Sequence, residues 1–483
     1  MLREEATIKQ DTNITTHQSP TNDISNLFTM ASPRYGSGDV SPEPLAQELR
    51  FHPSGRVAKN RFMKGPMAEM LATWNPKTPA ERGIPTKESI ELYKRWGEGR
   101  NNFGVIVTGN IGIDLESVGN IGDMGIPLDA KYEGERFEKF KELAKGAKAD
   151  GSLLVGQVNH PGRQVEARVN PVAISASDVQ LEPKMGMTFG KPHAATKEEI
   201  ARIVEGFAHA AEYLEKAGFD GIELHAAHGY LISQFLSRTT NKRTDEYGPQ
   251  TIESRLRIVS DIAKAVKARV SPTFIVSAKL NSVEFQDGGV TPDEARELCE
   301  TLEKLEFDFV ELSGGTYEHM DMAWKKESTA RREGFFLEWA ATITKALDPG
   351  HKMRTYIAGG MRSVGAMIDA LKVVDGITLA RPSIAEPRLV PDIIEGRVQG
   401  AIKPVETIET DLGIAMVAAQ TQISQVGRGF EPFDLSDPEA FQTFGADMGA
   451  WFEKVVQDGP KMEFVRAVQY SGPQVPYGTV KST

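Results

Sequence analysis

The chain has 483 residues, 40% hydrophobic and 25% charged, enough for one large globular domain or two modest ones. A formal net charge of -11 argues against a nucleic-acid partner, which would need clustered Lys and Arg. The lone cysteine, Cys299, excludes an internal disulfide, a cysteine-ligated iron–sulfur cluster and a Cys-rich zinc module, and no apolar run approaches the ~20 residues that span a bilayer.

Residues 1–45 are rich in Ser, Thr, Asn, Asp and Pro and read as a polar, flexible tail. Their start lacks the apolar core of a signal peptide and carries acids that a transit peptide avoids, so a cytoplasmic protein with no membrane partner is expected. From 46 to 400, short apolar runs alternate with helical patterns. The runs are RFMKGPM, FGVIVTGN, GSLLVGQVNH, FDGIELHAAH, TFIVSAKL, FDFVELSGG, RTYIAGG and DGITLARP. Between them, Thr196 with Glu199 and Thr291 with Glu294 form capping-box spacings that predict helices, and IESRLRIVSDIAKAVKARV predicts a third. Strands that alternate with helices in this way, with no GxGxxG after any of them, predict a (β/α)8 barrel rather than a doubly wound sheet.

A barrel gathers the C-terminal ends of its strands around one mouth. Those ends are Pro66-Met67, Thr108-Gly109-Asn110, Gln157 with Asn159 and His160, His225 with His228, Lys279 with Asn281, Ser313-Gly314-Gly315, Gly359-Gly360 and Arg381. Few are carboxylates, so hydrolysis by paired acids is poorly supported. Amides, glycines, a lysine and an arginine suit a planar ligand rich in hydrogen-bonding edges. Gly359-Gly360, a helix starting near Ser363 and the Ala380-Arg381 end of the last strand make a phosphate cradle at one side. The IELHAAHGY run poses the remaining question. Two histidines and a tyrosine there are core residues, metal ligands, or a clamp for a substrate oxygen with a proton source beside it. No third ligand is obvious and the run is not an HExxH helix, which disfavours zinc.

In order along the chain, KNRFMKGPM, GQVNHPGRQ, IELHAAHGYLISQFLS with TNKRTDEYG, SGGTYE and ARPSIAEP resemble the motifs of the Old Yellow Enzyme group of FMN-dependent NAD(P)H oxidoreductases, across roughly residues 45 to 400. The resemblance implies a non-covalently bound FMN, reduced by NADPH or NADH docking transiently over it. It places Gly65, Pro66, Met67 and Ala68 along the flavin edge, Gly109 under the ring, Gln157 at the pyrimidine, Lys279 near N1 and O2, and Gly359, Gly360, Ala380 and Arg381 at the phosphate. It makes His225 and His228 the donors to a substrate carbonyl oxygen and Tyr230 the proton donor to the α-carbon. The activity implied is reduction of an enone-type small molecule; desaturation in a biosynthetic pathway and a non-catalytic flavin-binding role are the alternatives, the last disfavoured by retention of both histidines and the tyrosine.

The chain departs from the family pattern in places. Ala68 stands where Thr or Cys is common and cannot tune the flavin through its side chain. Lys279 replaces a common arginine, keeping the charge without the planar fork. Gly248-Pro249 and Ala380-Arg381 stand where Gly-Gly and Gly-Arg are usual. Beyond residue 400 the resemblance fades into a helical extension, 401–483, whose Trp451 and Phe452 either cover an exposed barrel face or meet a second subunit in a homo-oligomer.

Overall fold

The apolar runs become eight parallel strands that close on themselves. The computed structural model describes residues 32–184, 186–281, 289–313, 337, 340–341, 343–344, 350–463 and 467–479. Its barrel strands are β1 (Phe62–Lys64), β2 (Val105–Gly112), β3 (Leu153–Asn159), β4 (Gly221–Ala226), β5 (Ile275–Asn281), β6 (Phe309–Ser313), β7 (Arg354–Ala358) and β8 (Gly376–Leu379). Each pairs parallel with its successor, and β8 returns to β1 with Leu379 beside Lys64. Every residue of β2 to β6 is buried, as expected of strands covered on both faces.

The outer layer includes α1 (Lys87–Gly97), α2 (Gly134–Ala147), α3 (Lys197–Lys216), α4 (Arg257–Lys267), α5 (Pro292–Lys304) and α6 (Val364–Ala370). The capping boxes predicted at Thr196 and Thr291 start α3 and α5, and Ser363 caps α6. The third predicted helix is broken at Leu256 into Ile252–Arg255 and α4. There Arg255 is buried and binds Leu236 O at 3.0 Å and Glu294 Oε1 at 2.8 Å, contacts made outside its own helix.

Inside the barrel the chemistry changes along the axis. The N-terminal end is plugged by the antiparallel pair Leu49–Arg50 and Val57–Ala58, whose Leu49 and Ala58 join Phe51, Met63, Val105, Val107, Leu153, Val155, Ile275, Phe309 and Tyr356 in one apolar cluster. Toward the C-terminal end two register rows replace apolar side chains with polar ones: Gln157, Glu223 and Ser277, then His225, Lys279 and Glu311. A dry floor under a polar mouth positions the site.

The described part of the N-terminal tail is packed. Tyr35 N–H donates to Ala401 O at 3.0 Å, its hydroxyl to Glu409 Oε1 at 2.9 Å, and Leu45 is fully buried. Two isolated apolar anchors make no periodic pattern, which is why composition alone assigned them to a tail. Past the barrel come α7 (Arg381–Ala385), α8 (Leu412–Gly427) and α9 (Pro438–Asp458). A small second core of Ile408, Ala415, Ala418, Phe433, Phe444, Val468 and Tyr470 holds this extension together. Trp451 packs on its edge, whereas Phe452 is exposed. No described helix is long and apolar enough to cross a membrane.

Candidate active site

The strand β4 delivers His225, and the chain then turns sharply. His228 has φ of +56° and Gly229 +76°, after which Tyr230 precedes the short helix Leu231–Leu236. A left-handed backbone at a non-glycine residue costs on the order of 1 kcal/mol and persists only where neighbours hold it. Here His228 N–H donates to Asn281 Oδ1 at 3.2 Å, from the end of β5. The turn folds the three rings together. The centroid of His225 is 5.2 Å from that of His228 and 4.6 Å from that of Tyr230, both edge-on. His225 Nε2 lies 3.4 Å from His228 Nδ1, and His228 Nε2 lies 3.1 Å from Ser313 Oγ.

Both imidazoles are neutral at physiological pH. Burial holds His225 well below its ordinary range, with the charges of His228 and Lys279 adding to the effect. Burial and then Lys279 push His228 down to about 3. Each neutral ring therefore carries one N–H donor and one acceptor nitrogen. On the other side, Asn110 Nδ2 donates to the Tyr230 oxygen at 3.4 Å and to Asp123 Oδ2 at 3.2 Å. Asp123 also accepts from Asn120 N at 2.8 Å, yet burial pushes its carboxyl up to about 7.

Below the mouth, Gln157 Nε2 donates to Glu223 Oε1 at 2.8 Å, and Lys279 Nζ meets Glu311 Oε2 at 2.9 Å. Burial, and then the charge of Glu311, hold the Glu223 carboxyl well above the usual range. Behind the β1 and β2 ends is a second buried network. Glu69 Oε1 accepts from Lys64 Nζ at 3.1 Å, from Tyr93 OH at 2.5 Å and from Gly109 N at 3.0 Å. A Cβ at Gly109 would lie 2.1 Å from Met67 O and 2.0 Å from Glu69 Oε2, so this close approach of chain to chain alone demands glycine.

The remaining predicted residues gather at the same mouth. Gly65 N–H donates to Leu379 O at 2.9 Å, extending the β1–β8 pairing, and a Cβ there would lie 2.5 Å from Thr378 Cγ2. Pro66, Met67 and Ala68 are half-buried, with Ala68 O accepting from Gln420 Nε2 of α8 at 3.4 Å. Gly359 and Gly360 follow β7 with φ of +119° and +76°, and Ala380 caps α7, which Arg381 begins. Gly314 and Gly315 lie outside the described residues.

Three buried charges on the barrel strands escaped the sequence reading: Lys64, Glu223 and Glu311. Each is a single charged residue inside an apolar strand run, and such a residue is almost never fully buried without a partner. That was the available signal. Asp123 and Gln420 carry none.

A model of the NADH:flavin oxidoreductase / NADH oxidase family matches residues 55–399. The chain is 47% identical over 428 residues to the NADH-dependent flavin oxidoreductase nadA of Aspergillus parasiticus, covering 88% of this chain and 95% of that protein. This chain belongs to the NADH:flavin oxidoreductase family. A second relative, the NADH-dependent flavin oxidoreductase iccE of Talaromyces variabilis, is 33% identical over 365 residues, 70% of this chain and 84% of the relative. Among solved structures, the Old Yellow Enzyme homologue of Zymomonas mobilis superposes with a TM-score of 0.60 at 25% identity, covering 74% of this chain and 94% of that one. A 2-naphthoyl-CoA reductase bound to 2-naphthoyl-CoA gives 0.64 at 25% identity, over 74% of this chain and 52% of that chain.

This flavin oxidoreductase is thus an enzyme of the Old Yellow Enzyme type, with FMN as cofactor and NADH or NADPH as reductant. The residues present fit the group. Burial and the neighbouring Arg362 push Arg381 down to about 9, so two guanidinium groups repel each other where a phosphate dianion would relieve both. Gln157 spends one N–H on Glu223, which leaves its second N–H and its Oε1 for a flavin edge.

Proposed function

We propose that this flavin oxidoreductase reduces the activated C=C bond of α,β-unsaturated carbonyl compounds. The observation that carries the reading is the pair of neutral imidazoles, His225 and His228, set edge-on around Tyr230 at the barrel mouth. In this reading Gly65, Pro66, Met67 and Ala68 line the flavin edge, Gly109 backs the ring, and Gln157 and Lys279 meet the pyrimidine. Gly359, Gly360, Ala380 and Arg381 hold the phosphate. The chemistry supplied by bound FMN is hydride transfer, from NADH to the β-carbon of the substrate.

The chain's own groups do the rest. N–H donors of His225 and His228 hold the carbonyl oxygen and stabilise the negative charge that develops there. Tyr230 gives its hydroxyl proton to the α-carbon. Asn110 donates to the phenol oxygen, which directs the hydroxyl hydrogen away from Asn110. Lys279 would supply positive charge that favours the reduced, anionic cofactor.

The test separates the half-reactions. In Tyr230→Phe, reduction by NADH should persist while reoxidation by cyclohexenone slows. His225→Ala or His228→Ala should slow that reoxidation by ~10²–10³-fold, as expected on losing a donor to a developing oxyanion. Stopped-flow absorbance at the flavin band reports both. Equal loss of both half-reactions in Tyr230→Phe would assign the phenol a structural role, and unchanged enone turnover in all three variants would refute the reading.

A further inference from the structure

A neutral imidazole has a single N–H, so a two-histidine clamp works only if both hydrogens face one oxygen. At His225 the contact from Ala227 N–H to Nδ1 at 3.4 Å favours the tautomer with the hydrogen on Nε2. That Nε2 faces His228 Nδ1 at 3.4 Å, and donation from ring to ring makes His228 Nδ1 the acceptor. The hydrogen of His228 then sits on Nε2 and points at Ser313 Oγ, 3.1 Å away. In this tautomer His228 turns a lone pair, not a hydrogen, toward the side where the clamp must donate.

A carbonyl oxygen held by both rings requires the other tautomer of His228, with hydrogen on Nδ1 and a bare Nε2. A hydroxyl suits both states, because it accepts from Nε2–H in one and donates to bare Nε2 in the other. We propose that Ser313 is a positioning residue for the clamp. By turning its hydroxyl from acceptor to donor it lets His228 present Nδ1–H beside His225 Nε2–H to the carbonyl oxygen of an enone. No net charge moves: one proton leaves Nε2 and one is taken up at Nδ1, with water as carrier.

The surrounding framework agrees. Asn281 and Ser313 are register partners at the ends of β5 and β6. The first holds the His228 backbone and the second its ring, so the imidazole is gripped at both ends and need not flip. The left-handed backbone of His228 aims the ring at that pair. Burial and Lys279 keep His228 from protonating, so the tautomer is the variable left to control. The inference rests on His225 and His228 being the oxygen clamp.

The experiment uses FMN-loaded protein with 15N-labelled histidine rings and p-hydroxybenzaldehyde, whose phenolate oxygen stands in for the carbonyl. Signals of His228 are identified by their loss in His228→Gln. In the wild type, ligand should move the His228 hydrogen from Nε2 to Nδ1. Ser313→Ala, which cannot donate, should weaken ligand binding about tenfold, the effect of one unmet hydrogen bond, and Ser313→Thr should restore it. Retained FMN content shows that each variant is folded. A hydrogen that stays on Nε2 in the complex, or Ser313→Ala binding as tightly as the wild type while His228→Ala binds weakly, overturns the role of Ser313. If His228→Ala itself binds as tightly as the wild type, the clamp fails instead.

Discussion

Replacing Lys64 by methionine tests how the loop after β1 is held. Lys64 is fully buried, with Nζ 3.1 Å from Glu69 Oε1, 3.0 Å from Val107 O and 4.1 Å from the Trp96 ring centroid. At 3.1 Å and an effective dielectric of about 20, the ion pair attracts by roughly 5 kcal/mol, and a desolvated cation over an indole adds about 2 kcal/mol. Desolvation offsets much of this, and it pulls the Lys64 ammonium below its usual range despite Glu69. The variant, however, keeps the cost of burying the Glu69 carboxylate and loses its cation. Lys64→Met should therefore destabilise the fold by about 3–5 kcal/mol, a decisive share of the 5–15 kcal/mol typical of a domain. Glu69 would still accept from Tyr93 and Gly109, so the double variant Lys64→Met/Glu69→Gln, with a neutral acceptor, should recover most of the loss. Urea titrations followed by far-UV circular dichroism at fixed FMN measure all three proteins. A single-variant cost below about 1 kcal/mol, or a double variant no more stable than the single, would refute the reasoning.

Three further outcomes are expected. Arg381→Ala should raise the FMN dissociation constant by roughly 10–100-fold, the loss of a charge-assisted hydrogen bond to phosphate, and equilibrium dialysis giving an unchanged constant would exclude the clamp. Ala68→Thr should change the flavin reduction potential, and equal potentials by spectroelectrochemistry would remove Ala68 from the flavin edge. Asp123 has its folded carboxyl pushed up to about 7, above the unfolded value, so its stabilising contribution is present at low pH and is lost as pH rises through 7. Asp123→Asn should match the wild type near pH 4 and exceed it near pH 8 by up to about 4 kcal/mol in denaturant melts, and parallel pH profiles would count against the buried carboxyl.

How much of this was legible in the chain depended on the range of the interactions. Strand order and the residues at the mouth could be read because a barrel converts position at a strand end into position in space. Thr108, Gln157, His225, Lys279 and Arg381 needed no knowledge of their contacts to be grouped. The supports behind them could not be grouped that way. Lys64 reaches Glu69 and Tyr93 only because β1 turns Met63 inward and its neighbour outward, a facing that a three-residue strand does not reveal. Gln420 meets Ala68 O across 352 positions, with no local pattern in α8 to announce it. Asp123 lies in a loop, and its raised carboxyl follows from burial, which the sequence does not show at a polar residue among glycines.

The charges at the mouth also explain why a phenol should be the acid. Lys279 lies in register between His225 and Glu311, and its ammonium helps to depress both imidazoles. Even at its ordinary pKa an imidazolium is a stronger acid than tyrosine by about 3 to 4 units, and in the proposed reaction it would stand at the carbonyl oxygen rather than at the α-carbon. It would hand a proton to the oxygen and leave the carbon waiting. In the proposed reaction neutral histidines would hold the oxygen by N–H donation without giving up the hydrogen, which reserves proton delivery for Tyr230. In that reaction the ammonium that would suit a reduced flavin would also direct where the substrate is protonated, and Glu311, 2.9 Å from Lys279 Nζ, holds that ammonium in position.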